Sequence, residues 1–302
     1  MTTGDAMRPR DVGLALLVIA VWGVNFAVIK TGVADVPPLL LGALRFMLAA
    51  FPALLFLRPP KVPIRLYLAY GLTISFGQFA FLFTAIHVGM PTGLASLVLQ
   101  SQAFFTLVLA ALWLKEPWRV NQLAGLVLAA LGLALIGSAH GVRMSLGGFF
   151  LTIAAAVMWA CGNIVTRAVG RYAPMNQLAF VVWASLVPPV PFLVMSYFVE
   201  GPHAISQALL GFSWHSLAAV AYLAWAATLL GYGLWTLLMS RYPANRVAPF
   251  SLLVPVVGLT TGWVVFDEAL QPVHLAGGAL LMVGLLVNLF GARLLARWAK
   301  TK

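Results

Sequence analysis

Long apolar stretches alternate with short polar connections along almost the whole chain of 302 residues. Each stretch holds about 20 residues, which as a helix cross a hydrocarbon core of about 30 Å. Helices are expected because lipid offers no hydrogen-bond partner to an open backbone. The pattern predicts ten spans, over residues 12–33, 38–57, 66–87, 93–114, 121–138, 147–168, 176–198, 216–239, 246–266 and 273–296.

The composition excludes a water-soluble globular protein. Hydrophobic residues make up 62% of the chain and charged residues only 8%, whereas a typical soluble domain has about 25% charged residues. So little charge cannot cover an apolar interior with polar surface. We therefore expect an all-α membrane protein whose surroundings are a lipid bilayer.

The formal net charge of +11 would suggest a nucleic-acid partner in a soluble protein. Here the basic residues lie between the spans, where they orient a membrane protein, and we expect no nucleic-acid partner. With the N-terminus in the cytoplasm, all 18 Lys and Arg residues except Lys30, Arg45 and Arg143 lie on the cytoplasmic side. Arg8 and Arg10 before the first apolar run resemble a signal peptide, but the spans that follow favour a retained first helix. Both termini are then cytoplasmic.

The two halves of the chain resemble each other. A shift of 137 residues relates Trp22 and Lys30 to Trp159 and Arg167, and a shift of 152 residues relates Tyr70, Pro91 and Glu116 to Tyr222, Pro243 and Glu268. Since each copy has five spans, an odd number, the second copy is expected to be inverted in the membrane. We predict two inverted five-helix repeats, residues 1–140 and 141–302, around a central cavity. Such halves can open the cavity alternately to each side, as in transporters.

Several stretches resemble a known family. The first span contains VWGVNFAVIK, the second LGALRFMLAA, and the ends of the halves read LKEP and FDEAL. These stretches, over the whole chain, resemble the EamA-type members of the drug/metabolite transporter superfamily. Within it, GMPTGLASLVLQSQAFFT and RVAPFSLLVPVVGL resemble exporters of O-acetylserine and cysteine.

This resemblance implies ten helices, the bacterial inner membrane and export of cysteine, O-acetylserine and related metabolites. EamA-type carriers of other amino acids, aromatic compounds or drugs share nearly all these motifs and form the alternative.

Polar side chains within the spans are candidates for substrate binding, because burying them in hydrocarbon is costly. Trp22 and Asn25 share one face of the first span, and Trp159 and Asn163 share one face of the sixth. Amides can bond both the ammonium and the carboxylate of an amino acid. The alternative is that these amides join neighbouring helices by hydrogen bonds.

The second, third and fourth spans add further candidates. Ser75 and Gln78 lie on one face of the third span, and Gln100 is preferred in the fourth over Gln102, which we assign to packing. Arg45 is the one charge clearly within a span. It either receives a substrate carboxylate in bidentate geometry, or bonds backbone carbonyls or reaches outward to the interface.

The eighth and ninth spans supply an aromatic stripe and two prolines. Tyr232 and Trp235 share a stripe, which is either part of the binding site or a packing and interface feature. Pro249 and Pro255 flank Ser251 and free backbone carbonyls, which predicts a hinge or binding element. The fourth span lacks matching prolines, so we expect the two halves to differ mechanically.

Acidic residues lie at the ends of spans rather than in their middle. Glu116 and Glu268 occupy equivalent ends of the fourth and ninth spans. They are either ordinary solvated charges or a gate ion pair, with Glu268 a candidate proton site. The lack of a mid-membrane carboxylate favours facilitated export by alternating access, or coupling through an interfacial group.

Other functional classes find little support. A membrane enzyme would need a nucleophile and base or clustered carboxylates, and a scaffold would not need a repeat with buried amides. The single Cys161 excludes an internal disulfide framework and indicates no metal cluster, and we expect no cofactor. Glycine-rich faces containing Gly125, Gly132, Gly277 and Gly284 allow close helix packing, and could equally serve a homodimer.

Overall fold

The computed structural model describes residues 7–139, 144–172, 174–242 and 244–298. Within these residues, ten helices are long and apolar enough to cross a membrane, which confirms the predicted number of spans. They run over Pro9–Asp35, Pro38–Leu55, Ile64–His87, Thr92–Leu114, Val120–Ser138, Leu146–Tyr172, Gln177–Glu200, Trp214–Arg241, Pro249–Phe266 and Pro272–Gly291. The predicted limits agree within a few residues, because the apolar runs and the turn formers mark the same boundaries.

Local sequence explains where several spans begin. Pro38 and Pro272 stand at the first position of their helices, where the missing N–H costs nothing. Ser145, Asn176 and Ser213 precede their helices and accept a hydrogen bond from the backbone N–H three residues on. These caps satisfy donors that lipid could not.

Two pairs of spans depart from regular α-helix at positions that the repeat relates. The third and eighth spans contain π-helix at Gly71–Gly77 and Tyr222–Leu230. The fourth and ninth contain 3₁₀-helix at Leu99–Ser101 and Ala248–Leu253. The fourth span therefore breaks where the ninth does, although it has no proline there. We expected the prolines to make the two halves differ mechanically. The position of the break, however, is the same in the fourth and ninth spans.

The fourth and ninth spans also end alike. Lys115 and Asp267, which are 152 residues apart, both adopt the left-handed conformation, with φ of 55° and 50°. Each closes its helix by an N–H bond back to the last turn. The shared backbone deviations support the internal repeat more strongly than the few identical residues do.

The fifth and tenth spans pack backbone to backbone. A Cβ atom at Gly125 would lie 2.6 Å from the carbonyl oxygen of Gly284, and one at Gly132 would lie 2.5 Å from that of Gly277. Because residue numbers rise in one span as they fall in the other, the two helices are antiparallel, as an inverted repeat predicts. These glycine faces are used within one chain, so a homodimer would have to use other surfaces.

The connection between the seventh and eighth spans contains the helix Pro202–Leu210. Glu200, just before this helix, accepts hydrogen bonds from the backbone N–H groups of Leu39 and Leu40, at 2.6 and 3.2 Å. It thereby caps the second span with a negative charge at its N-terminus. The main apolar core includes Leu39 and Leu40 of this contact, together with the fully buried Phe83 and Phe192.

Candidate functional site

Arg45 is buried in the second span, with 2% of its surface exposed. Its Nε and Nη2 atoms donate to Thr228 Oγ1 at 3.3 and 3.0 Å. Thr228 donates in turn to the carbonyl oxygen of Leu223, five residues back in the π-helix, at 2.9 Å. Nη1 is buried and has no hydrogen-bond partner among the described residues. Among the described residues, Arg45 therefore neither bonds backbone carbonyls nor reaches the interface, and it is held instead by Thr228 and the neighbouring rings.

Aromatic rings surround the Arg45 guanidinium. Its central carbon lies 3.9 Å from the centroid of the Phe79 ring, and 5.3 and 5.9 Å from those of Phe46 and Phe83. A desolvated cation–π contact contributes about 2 kcal/mol, whereas removing a cation from water costs several kcal/mol. The rings only partly offset that cost, so the site favours an anion.

The first and eighth spans complete this region. The ring centroid of Tyr232 lies 5.6 Å from that of Trp22, which lies 5.3 Å from that of Trp235. The indole Nε1 of Trp22 donates to the Ala227 carbonyl oxygen at 3.0 Å, and Ala227 directly precedes Thr228, the partner of Arg45. Trp22, Tyr232 and Trp235, all singled out in the sequence, thus lie together near the element that holds Arg45.

Two amides in the first and third spans lack partners. Asn25 is 8% and Gln78 3% exposed, and the Oδ1 of Asn25 and the Oε1 of Gln78 are buried without a hydrogen bond among the described residues. Ser75, one turn from Gln78, is also buried. A buried acceptor without a partner costs about 1–3 kcal/mol. Such atoms need a water molecule or a ligand, which is the role proposed for these residues from the sequence.

Other candidate amides are satisfied by neighbouring helices. Asn163 Nδ2 donates to Gln102 Oε1 at 2.7 Å and to Thr106 Oγ1 at 2.9 Å. Gln100 Nε2 donates to the carbonyl oxygen of Ser251 at 3.0 Å. These bonds tie the fourth span to the sixth and the ninth, the interhelical alternative considered above. Gln102 makes the packing contact assigned to it.

The remaining candidates lie close to these ties. Trp159 packs against both of the larger apolar clusters. Pro249 lies within the 3₁₀ segment of the ninth span, and Pro255 stands in the first turn of the α-helix that follows it. The two prolines bracket a change of helix type, which is where a hinge was predicted.

Glu268 joins three spans at one end of the molecule. Its Oε1 accepts from Lys30 Nζ at 2.8 Å and from the Thr92 N–H at 3.0 Å. Its Oε2 accepts from the Thr92 hydroxyl at 2.9 Å and from the Gly93 N–H at 3.1 Å. Burial raises the pKa of Glu268, but the hydrogen bonds from Lys30, Thr92 and Gly93 outweigh it and hold the pKa below its ordinary value of 4.5. The low pKa favours an ion pair over a proton site in this state.

The repeat relates a second ion pair to the first. Arg167 Nη1 lies 2.8 Å from Glu116 Oε1, and counting spans places this pair on the opposite side of the membrane from Lys30 and Glu268. Both pairs join the two halves, so neither carboxylate is paired with a sequence neighbour. The side chains of Arg167 and Glu116 are 48% and 51% exposed, whereas that of Glu268 is 10% exposed. Glu268 is therefore the more buried of the two carboxylates.

A concavity of about 280 Å³ adjoins this more buried ion pair, lined among others by Lys30, Leu94, Phe266, Glu268 and His274. Neither Arg45 nor Asn25 lines it.

The sequence missed several residues of this arrangement. Thr92 and Gly93 donate hydrogen bonds to Glu268. Thr92 and Gly93 begin the fourth span, where backbone N–H groups lack partners within the helix, and this position was the available signal. Asp11, 3% exposed, accepts from Arg241 at 2.8 Å and from the Tyr242 hydroxyl at 2.7 Å, and nothing in its sequence context indicated this.

Ten apolar spans, unpartnered polar atoms in the interior, and ion pairs between the halves at opposite ends define a multi-span membrane transporter. The chain belongs to the EamA-like transporter family, whose model matches residues 11–138 and 146–290. As a member of that family it is a transporter and not an enzyme.

Two curated relatives cover nearly the whole chain. A protein of Salmonella typhimurium named "Probable amino-acid metabolite efflux pump" is 51% identical, and one of Escherichia coli K12 with the same name is 48% identical. Each match covers 95% of this chain and 97% of the relative. A solved crystal structure shares the fold with a TM-score of 0.61 at 22% identity, over 96% of this chain and 98% of the other.

Proposed function

We propose that the protein exports small zwitterionic amino-acid metabolites, such as cysteine and O-acetylserine, across the bacterial inner membrane by alternating access. One observation carries the proposal: among the five buried side-chain polar atoms that lack a partner in the described residues are a donor on Arg45 and acceptors on Asn25 and Gln78; the other two are Ser101 Oγ and His274 Nδ1. An amino acid presents a carboxylate that accepts and an ammonium that donates. The atoms on Arg45, Asn25 and Gln78 together therefore match a zwitterion.

The carboxylate would bind at Arg45. Thr228 uses Nε and Nη2 and leaves Nη1 for the substrate. A carboxylate would also neutralise a cation that, among the described residues, forms no ion pair. Because the guanidinium is held against Phe79 and Thr228, it would bind with little loss of side-chain freedom.

The ammonium would bind the amide oxygens of Asn25 and Gln78. These belong to the first and third spans, and Gln78 directly precedes Phe79, the ring under Arg45. The neutral amide dipoles would stabilise the ammonium, so the protein would not need to bury a second charged side chain. A zwitterion together with Arg45 leaves one net positive charge in the site. The aromatic rings stabilise this charge, so that no carboxylate of the protein is needed to neutralise it.

The two ion pairs would act as alternating gates. Lys30 and Glu268 seal one end, while Arg167 and Glu116 remain half exposed at the other. With the N-terminus in the cytoplasm, the sealed end faces outward, so this state would load substrate from the cytoplasm. The names of the two curated relatives, both efflux pumps for amino-acid metabolites, support export as the direction.

Counterflow in proteoliposomes tests the proposal. Labelled cysteine and O-acetylserine should exchange with internal unlabelled substrate, and analogues lacking either the carboxylate or the amine should compete at least ten-fold more weakly. Zero counterflow for both substrates would remove them. An amine without a carboxylate that competes as well as cysteine would remove Arg45 as the carboxylate site. Comparing rates with and without a pH gradient decides the coupling.

A second candidate substrate class is aromatic amino acids. The ring cluster of Trp22, Tyr232 and Trp235, which contacts the eighth span next to Thr228, favours it, because such rings offer an apolar wall for a large side chain. Phenylalanine and tryptophan in the same counterflow assay separate the two classes: stronger competition by these than by O-acetylserine would favour the aromatic one.

A further inference from the structure

A groove open to the surrounding lipid lies between the third and seventh spans. Its volume is about 740 Å³. Its walls include six apolar side chains that are 43–71% exposed: Ile64, Leu68, Leu72, Leu186, Val190 and Val194. From Ile64 to Leu72 it runs roughly 12 Å along the helix, which is within the depth of one leaflet of a core of about 30 Å.

The groove has a closed floor. A Cβ atom at Gly71 would lie 2.4 Å from the Cβ of Val187, so the third and seventh spans touch there. Two walls and a floor of apolar atoms, open along one side to lipid, form a channel suited to a flexible hydrocarbon chain. The shape is concave, unlike an ordinary lipid-facing helix surface.

Three cations belong to the segment that borders this groove. Arg58, Lys61 and Arg65 are exposed and belong to the same segment as Pro59 and Ile64, which line the groove. None of the three forms an ion pair with a carboxylate in the part of the chain that the structure describes. Their charge is therefore available to a ligand at that position.

Two hydrogen bonds attach this segment to the groove walls. Trp183 Nε1 donates to the Leu57 carbonyl oxygen at 2.8 Å, and the Tyr67 hydroxyl donates to that of Pro60 at 2.9 Å. Trp183 and Tyr67 both line the groove. The backbone that carries the three cations is thus held in place relative to the apolar channel.

We propose that this groove binds an anionic glycerophospholipid from the leaflet on that side. One acyl chain lies between the third and seventh spans, and the headgroup phosphate lies among Arg58, Lys61 and Arg65. Guanidinium groups match phosphate oxygens in bidentate geometry. A zwitterionic lipid offers the same chains but no net charge to neutralise three cations. The site is separate from Arg45 and does not depend on the substrate.

Lipid titration of the purified, delipidated full chain tests this, with native mass spectrometry measuring bound phosphatidylglycerol and phosphatidylcholine of identical chains. Each basic residue near an anionic lipid strengthens binding about five-fold. We expect phosphatidylglycerol to bind on the order of a hundred-fold more tightly, and the R58Q/K61Q/R65Q variant to lose most of this preference. The control K115Q/R119Q, which removes two exposed cations remote from the groove, should keep it.

A second variant tests the channel. Leu68→Trp fills the groove while leaving all three cations, and should weaken binding of both lipids about ten-fold. Equal binding of the two lipids by the parent protein, or equal loss of preference in the control, would overturn the proposal. So would displacement of phosphatidylglycerol by inorganic phosphate at millimolar concentration, since that would indicate a site for a free anion. Unchanged melting temperatures verify that the variants fold.

Discussion

Replacing Glu268 by Gln should open the sealed end of the transport path. The Glu268 carboxylate accepts four hydrogen bonds, from Lys30 Nζ, the Thr92 N–H, the Thr92 hydroxyl and the Gly93 N–H. Glutamine has the same shape and keeps one carbonyl oxygen as an acceptor. Its NH₂ group is a donor and would face two of the four donors, so those two hydrogen bonds would be lost. The closed state therefore loses the charge and about half of its bonds, while the open state, in which the side chain is hydrated, loses little.

The size of the effect follows from the geometry. A hydrogen bond to a charged group contributes about 1.5–3 kcal/mol. Lys30 is 37% exposed, so its share is reduced by solvent screening. Losing two bonds to Glu268 then shifts the closed-to-open equilibrium by about 3 kcal/mol, on the order of a hundred-fold.

The repeat supplies a matched control. Glu116 occupies the equivalent position but is 51% exposed, and an exposed ion pair contributes about 0–1 kcal/mol. Glu116→Gln should therefore change the equilibrium by less than about five-fold.

Cysteine labelling measures the equilibrium. In a Cys161→Ser background, Leu94→Cys places a thiol on a fully buried residue that lines the concavity beside Glu268. Glu268→Gln should raise its labelling by an impermeant maleimide, added from outside, ten- to a hundred-fold, and Glu116→Gln should not. Equal labelling in the parent protein and Glu268→Gln would refute the gate.

Three further outcomes follow from the same contacts. Arg45→Met should abolish counterflow while leaving the melting temperature unchanged or higher, because it removes a buried cation without a charge partner; retained transport would exclude Arg45 from the site. Gly132→Ala should destabilise the protein by about 1–3 kcal/mol in thermal unfolding, since its Cβ would meet a backbone oxygen at 2.5 Å, whereas Gly170→Ala, with open space around it, should not. Because the pKa of Glu268 lies below 4.5 in the closed state, closure should be fully present above 4.5 and be lost as the pH falls through that lowered pKa; since thiol reactivity itself depends on pH, the readout is the ratio of Leu94→Cys labelling in Glu268→Gln to that in the parent protein at the same pH, and a change of this ratio between pH 5.5 and 7.5 would contradict the prediction.

The repeat has consequences beyond the identical residues. π-Helix and 3₁₀-helix recur at matched places in both halves, as does the left-handed end at Lys115 and Asp267. Such segments loosen the regular hydrogen-bond ladder. Their conservation between the halves, with prolines in one only, indicates that the bend itself is the shared feature and that Pro249 and Pro255 are one way to stabilise it.

The apolar pattern alone predicted the ten spans, and matched residues at shifts of 137 and 152 predicted the internal repeat. An apolar run such as 121–138 can only form a helix in a bilayer, since lipid offers no hydrogen-bond partner and every backbone group must be bonded within the helix. For Glu116 and Glu268, the sequence suggested a gate but could not name the partner of either carboxylate. The partners, Arg167 and Lys30, lie in the other half of the chain, far away in sequence.

Whether an interior amide is paired was decided by tertiary structure. Asn25 and Asn163 each follow a tryptophan by one helical turn and look equivalent in sequence. Asn163 meets Gln102 and Thr106 on the fourth span, whereas Asn25 keeps a buried oxygen without a partner. Periodicity states which face of a helix a residue occupies, but hydrogen bonds also require that another span approach within about 3 Å. That approach depends on how all ten helices pack, and so it is absent from any single stretch of sequence.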